Sequence, residues 1–250
     1  MTQLGVVGGG TMGAGIAEVA ARASGEAKFT SYVNNLHRPE TVDELEELFS
    51  LALPLLESVY GYIQSQKFVS KGWEAEENLC ESDLPEPGSP VKPQPPPEPI
   101  SLLGRKLQVV PKLVEYQLDD EKTHSGVWHV EGMSHEHVIA TAVYVLGRSD
   151  NFQGGELRFK RPYTLEEAGQ LFWSVAQCRK QHTDEIVRTG LVPIGSLATP
   201  EGRLLVFPNC HAHKISDMRT SGGRATRRIV VFWLIDPEKP IISTAHVAPQ

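Results

Sequence analysis

Cysteine is scarce. Cys80, Cys178 and Cys210 are the only three in 250 residues. They cannot all pair with one another and have no zinc-ribbon spacing, so the expectation is a reduced, intracellular protein of the cytoplasm. Positive charge is in deficit too, with 24 Lys and Arg against 31 Asp and Glu, a net charge of −7. Broad attraction to nucleic acid or to an anionic membrane is therefore not expected. No stretch reaches the roughly 18 consecutive apolar residues needed to span a bilayer. Ala21-Arg22-Ala23 has the look of a cleavage site, but no basic segment precedes it. Gly8, Gly9, Gly10, Gly13 and Gly15 also break the apolar run, so export is disfavoured. No internal repeat is visible. What remains, 40% hydrophobic and 22% charged residues, describes a globular chain with one ordinary core or two small ones.

Four zones follow from local composition. Residues 1–25 are rich in small residues, with a short apolar strand at Leu4 to Val7 and a helix-like stretch from Ala14 to Ala23. Residues 26–82 are expected to be helical. Thr41-Val42-Asp43-Glu44 reads as a capping box with Thr41 as N-cap, and Leu45, Leu48, Phe49, Ala52 and Leu56 recur at helical spacing. Pro54 should kink or reset that helix. Residues 83–100 form a linker: Asp83 to Pro99 holds eight of the 18 prolines and should run as an extended spacer. Residues 101–250 read mostly as strands, at Val127 to Val130, His137 to Leu146, Glu156 to Phe159, Arg203 to Phe207 and Arg228 to Ile235. One helical interruption is expected from Leu165 to about Val187. The fold class expected is mainly β with flanking helices (α+β), a sandwich or barrel.

Gly8-Gly9-Gly10-Thr11-Met12-Gly13 matches the dinucleotide fingerprint G-x-G-x-x-G, in which glycines let the chain approach a pyrophosphate at a helix N-terminus. Leu4 to Ala23 resembles the opening of the 3-hydroxyacyl-CoA dehydrogenase family. The residues that follow, Gly25 to His37, contain no second strand ending in an acidic residue. A single β-α unit cannot enclose a dinucleotide, so NAD binding is disfavoured and the fragment is expected to be non-functional.

Seven of nine histidines lie between His124 and His213. In Trp128-His129-Val130-Glu131-Gly132, positions i and i+2 of a strand share a face, so His129 and Glu131 can reach one metal. A third ligand from Asn209-Cys210-His211-Ala212-His213 would complete two histidines and one carboxylate on a triangular face, the non-haem Fe(II) pattern. His213 is preferred and His211 held in reserve. Fourteen residues later, Arg227 opens an apolar strand from which a guanidinium could clamp the far carboxylate of a metal-chelating 2-oxo acid. The rival pair His135 and His137 lacks the further carboxylate spacing of a metal site. Glu136 between them reads as a local hydrogen-bonding group in a polar turn, and Cys210 as a packing residue.

From about Ala27 to Gln250 the chain resembles the family catalogued as domain of unknown function 4246, itself similar to 2-oxoglutarate- and Fe(II)-dependent oxygenases of the double-stranded β-helix fold. The resemblance rests on Lys28 to His37, Trp128 to Met133, Gly202 to Asn209 with His213, and Arg227 through Pro237; Gly154 to Phe159 resembles a strand of prolyl-hydroxylase-like oxygenases. It implies a jelly-roll core, His129, Glu131 and His213 as iron ligands, Arg227 as the 2-oxoglutarate anchor, and hydroxylation of a small-molecule or peptide substrate. The carboxylate is Glu where most oxygenases of this fold use Asp, so the longer arm must be accommodated. Tyr144 either faces the pocket and hydrogen-bonds the cosubstrate or fills the core. Two rival readings stand beside this one: a dehydrogenase-related protein led by the glycine motif, and a non-catalytic β-barrel binding module.

Overall fold

The computed structural model describes residues 5–7, 16–34, 36, 38–65, 98–120, 123–162 and 189–247. Within these, twelve strands and one α-helix follow in the order β1 (Gly5–Val7), β2 (Ala17–Ala21), β3 (Ala27–Phe29), α1 (Pro39–Ser65), β4 (Lys106–Leu118), β5 (Val138–Arg148), β6 (Phe152–Gly154), β7 (Leu157–Pro162), β8 (Leu191–Leu197), β9 (Leu204–Pro208), β10 (Ala212–Ile215), β11 (Met218–Thr220) and β12 (Ala225–Ile235). The large sheet has the order β3-β2-β4-β12-β5-β9, with β1 also on β4; the smaller sheets are β10-β7-β8 and β11-β6. Isolated bridges His124–Met218 and His129–His213 run the 124–129 segment along β11 and β10. Successive segments thus alternate between two antiparallel sheets: β4 large, 124–129 small, β5 large, β7 and β8 small, β9 large, β10 small, β12 large. This is the jelly-roll, or double-stranded β-helix, plan.

The centre of the large sheet is covered on both faces, which is why Arg228 to Ile235 reads as a continuous apolar run rather than an alternating one. Val230, Phe232 and Leu234 pack with Leu45, Phe49, Ala52, Leu53 and Leu56 of α1; the Phe49 and Phe232 rings meet edge-on at 5.3 Å. The alternate residues Ile229, Val231, Trp233 and Ile235 face the small sheet, joining Val143, Val145, Phe207, Leu157 and Phe159. Arg227 shares this second face by its parity with Ile229 on β12.

Several local expectations are corrected. The helix-like stretch Ala14 to Ala23 contains strand β2, hydrogen-bonded to β3 on one side and β4 on the other, so the tertiary ladder overrides alanine's helix preference. α1 starts at Pro39, not after a Thr41 cap: the N–H groups of Thr41 and Val42 donate to the Arg38 carbonyl, and proline suits the first helical position. The helix continues through Pro54 rather than restarting, because Pro54 lies on the exposed face, where water can take the carbonyl left without a partner. Val127 to Val130 is not a regular strand; His129 alone makes a bridge. β4 was not among the expected strands, since Pro111 interrupts its pattern. That proline sits between the reaches of β2, on residues 106–109, and β1, on residues 113–115, where no third strand needs its missing N–H.

β1 pairs antiparallel with β4, unlike the parallel β-α-β unit that a dinucleotide fingerprint requires. The glycines at positions 8–13, most of the proline-rich segment and the expected helix at 165–187 lie outside the described residues.

Candidate metal centre

Local hydrogen bonds bring His129, Glu131 and His213 together. The His129 N–H donates to the His213 carbonyl (3.0 Å) and the His213 N–H to that of His129 (2.9 Å), which fixes the two imidazoles side by side with ring centroids 4.4 Å apart. Glu131 follows in irregular chain, held by one side chain from the turn after β9. Asn209 Oδ1 accepts from the Glu131 N–H (2.7 Å), while Nδ2 donates to the carbonyls of Glu131 (2.7 Å) and Val138 (2.9 Å). The chain then turns through Gly132 at φ 67°, left-handed backbone that glycine adopts without strain.

Glu131 Oε1 lies 3.3 Å from His213 Nε2 and 3.7 Å from His129 Nε2. His213 is the floor of the cluster at 3% exposure, walled by Phe207 and Phe159 at ring distances of 4.8 and 6.3 Å, whereas His129 is exposed. The His129 Nδ1–H donates to the Val127 carbonyl (2.8 Å), the tautomer that leaves Nε2 free as a ligand. Burial works against the charge on Glu131, but the two imidazoles facing it outweigh this and hold the carboxyl down at about 2. The Glu131 carboxylate likewise raises the pKa of His129.

This donor set fits a transition metal. Two imidazole nitrogens and one carboxylate oxygen all lie within 4.8 Å of one another. Bonds of about 2.0–2.2 Å at right or tetrahedral angles separate ligand atoms by roughly 2.8–3.6 Å, close to the 3.3 and 3.7 Å between Glu131 and the two imidazoles. The four buried side-chain polar atoms without a hydrogen-bond partner among the described residues are Thr141 Oγ1, His213 Nδ1, Arg227 Nε and Trp233 Nε1. All four belong to residues of the metal-side face or of the cluster itself.

Arg227, 1% exposed, donates from Nη1 to the Gly155 carbonyl (3.1 Å) and lies over the Tyr116 ring at 5.9 Å. Burial lowers its pKa to about 10, which still leaves it charged at neutral pH. Tyr144 is a correction. It packs with the α1-side core, while its neighbours Val143 and Val145 face the metal side, so a strand's alternation takes it away from the cluster. The tyrosine on the metal-side face is Tyr116, directly opposite Arg227 and near enough to Glu131 for that charge to help burial raise its pKa. His211 also stays out. It precedes β10 in the turn, and its Nε2 meets the Tyr62 hydroxyl of α1 at 3.2 Å. Glu136 accepts from the Met133 N–H (2.6 Å) in a 3-10 turn, as the polar-turn reading expects. Cys210 is a free thiol that burial pushes up to about 11.

Sequence reasoning missed Tyr116, and Lys112 and Thr141 as residues of the same face. Their signal is period-two spacing on β4 and β5, Val110-Lys112-Val114-Tyr116 and Thr141-Val143-Val145, which acquires meaning only once each strand's pairing is known.

Residues 16–250 match the family model described as "Protein of unknown function (DUF4246)", a match that begins at Ile16 rather than at Ala27. No curated protein matches the sequence. Among solved structures, the chain is similar to IDO from Bacillus thuringiensis, at 9% identity and a TM-score of 0.43 over 88% of this chain and 72% of that one. It is similar to an oxidoreductase of the 2OG-Fe(II) oxygenase family from Burkholderia pseudomallei, at 15% identity and a TM-score of 0.36 over 93% and 73%. It is also similar to hydroxypropylphosphonic acid epoxidase from S. wedmorenis, at 16% identity and a TM-score of 0.21 over 50% and 49%. No helix among the described residues is long and apolar enough to cross a membrane.

Proposed function

The chain belongs to the DUF4246 family, and from that premise we propose that it is an Fe(II)- and 2-oxoglutarate-dependent oxygenase that hydroxylates an organic substrate. One observation carries the reading: two histidines and one glutamate converge, and the sheet face that packs toward them carries a buried arginine whose Nε has no partner. His129, Glu131 and His213 would hold the ion on one triangular face, leaving the opposite positions for ligands. Bound iron, with 2-oxoglutarate and O2, supplies the oxidising power, and the products are succinate, CO2 and the hydroxylated substrate.

The chain's own residues do the rest. Arg227 offers a fixed cation for the remote carboxylate of the cosubstrate, its Nη1 already anchored on Gly155 and its buried Nε without a partner. Tyr116 lies under that guanidinium and helps to hold it in place. Phe159 and Phe207 keep water from His213. Protein loaded with Fe(II) without oxygen should retain one equivalent of iron and release succinate from 2-oxoglutarate when air is admitted. His129→Ala should lose both properties; unchanged iron content in that variant would overturn the assignment.

A further inference from the structure

The side chain just before the ligand His129 is held from the outer face of the small sheet. Around it, Val127 is 73% exposed and Val130 47%, so apolar burial does little to fix this irregular stretch. Its backbone meets β10 through the one bridge between His129 and His213. Two hydrogen bonds at a single residue locate it along β10 but do not fix the tilt of the chain about them.

Trp128 supplies that constraint. In an antiparallel pair the residue before His129 falls opposite the residue after His213, which is Lys214. The Lys214 Nζ lies over the Trp128 ring, 5.5 Å from its centre, and the Lys160 Nζ lies over the same ring at 4.8 Å. Lys160 is on β7, one strand further away, where its partner on β10 is Ala212. A methyl group at that place lets the lysine chain cross β10 to reach the indole. Phe159 and His213 alternate with these lysines and belong to the inner face, where their rings are 6.3 Å apart. The indole is therefore seated outside the sheet, while the imidazole of the next residue faces Glu131 within.

An ammonium over an indole is attracted by the ring's quadrupole, and tryptophan is the best such partner among the aromatic side chains. The lysine stems also cover apolar ring surface. Two cations on two strands thus hold one ring, and turning His129 away from the cluster would pull that ring off both. We propose that Trp128 is a positioning residue of the metal centre: gripped by Lys160 and Lys214 outside the sheet, it sets the direction of the His129 imidazole inside. The inference rests on the metal-binding part of the oxygenase reading and adds to it a residue outside the ligand set.

The test uses the full chain, with Zn(II) affinity read by chelator competition and hydrogen exchange read on metal-free protein. Trp128→Leu should weaken Zn(II) binding at least about tenfold, the usual effect of removing a group that orients a ligand. Exchange in residues 124–130 should quicken about tenfold while that of β12 stays within about twofold; a ring that merely stabilised the fold would quicken both alike. Replacing both lysines, Lys160→Met with Lys214→Met, should also weaken Zn(II) binding, and it carries the test should Trp128→Leu fail to fold. The sign decides, because removing two cations near a divalent ion would by itself tighten its binding. Lys160→Arg with Lys214→Arg should keep wild-type affinity, since a guanidinium stacks on the same ring. Unchanged affinity in Trp128→Leu, unchanged or tighter binding in the double methionine variant, or exchange that quickens in β12 as much as in 124–130 overturns the proposal. Wild-type protein that takes up no Zn(II) overturns the metal centre itself, and the positioning role falls with it.

Discussion

The side-chain amide of Asn209 brackets Glu131, accepting from its N–H and donating to its carbonyl, both at 2.7 Å. A carboxylate in irregular chain is thereby given the positional definition of one on a strand. A third bond, to the Val138 carbonyl, ties the bracket to the first residue of β5. Asn209→Ala should weaken metal binding about 10–100-fold, the usual consequence of removing a group that orients a ligand. It should also destabilise the fold by about 1–3 kcal/mol through the backbone groups left unpaired. Competition with a chelator and denaturant unfolding measure the two effects. Asn209→Asp, which keeps the acceptor and loses the donor, should fall between.

The two histidines flanking Ala212 differ in kind despite their spacing. His213→Ala should abolish metal retention. His211→Ala should leave it within about twofold and reduce stability alone, by about 1 kcal/mol for the lost Tyr62 hydrogen bond. Metal analysis of both purified variants decides it. Metal loss from His211→Ala would mean that the turn swings the other imidazole into the cluster.

Arg227 is held in place by Gly155. A Cβ there would come within 2.8 Å of Arg227 Nη1, and the backbone has φ +80°. Gly155→Ala should therefore shift the guanidinium and weaken 2-oxoglutarate binding at least about tenfold, with little effect on metal affinity. Isothermal titration of the metal-loaded variant with N-oxalylglycine reads this directly. Unaltered affinity would remove Arg227 from the cosubstrate's reach.

In metal-free protein the Glu131–histidine contacts give a window of stability. The Glu131 carboxyl is depressed from 4.5 to about 2, so its contribution is present above pH 4.5 and disappears as the pH falls toward 2. His129 is raised from 6.5, so its contribution is complete below pH 6.5 and fades as the pH climbs through the raised value. For Glu131 this amounts to roughly 3 kcal/mol at most, and the two describe largely the same contact. A metal needs neutral imidazoles, so its stabilisation should grow from pH 6 to pH 8. Thermal unfolding with and without Zn(II) across that range checks the sign, and a pH-independent increment contradicts it.

Burial keeps Cys210 as the thiol, at about 11 against an ordinary 9.0. Alkylation at pH 8 should be about 100-fold slower than for a free cysteine and rise about tenfold per pH unit. Peptide-resolved mass spectrometry after timed iodoacetamide labelling separates Cys210 from the other two cysteines. Rapid labelling at pH 8 would show an open or activated thiol.

The three donors that the fold gathers could be named before any coordinates. His129 and Glu131 are two residues apart, His213 follows an apolar strand and a turn, and Arg227 opens the last strand. Residue type and order along the chain are enough to suggest this chemistry, because a metal selects donors by element and charge. The strand content of residues 138–148 and 225–235 was equally plain, since β-branched and aromatic runs bounded by turn residues leave few alternatives. What only the tertiary structure decided was direction. Tyr144 and Tyr116 are both tyrosines on long strands, yet sheet register sends one toward α1 and the other beneath Arg227. Ala17 to Ala21 became a strand because β3 and β4 offered it two ladders. Composition and spacing act locally along the chain. Which face a side chain occupies depends on pairings between distant segments, and a shift of one residue reverses it.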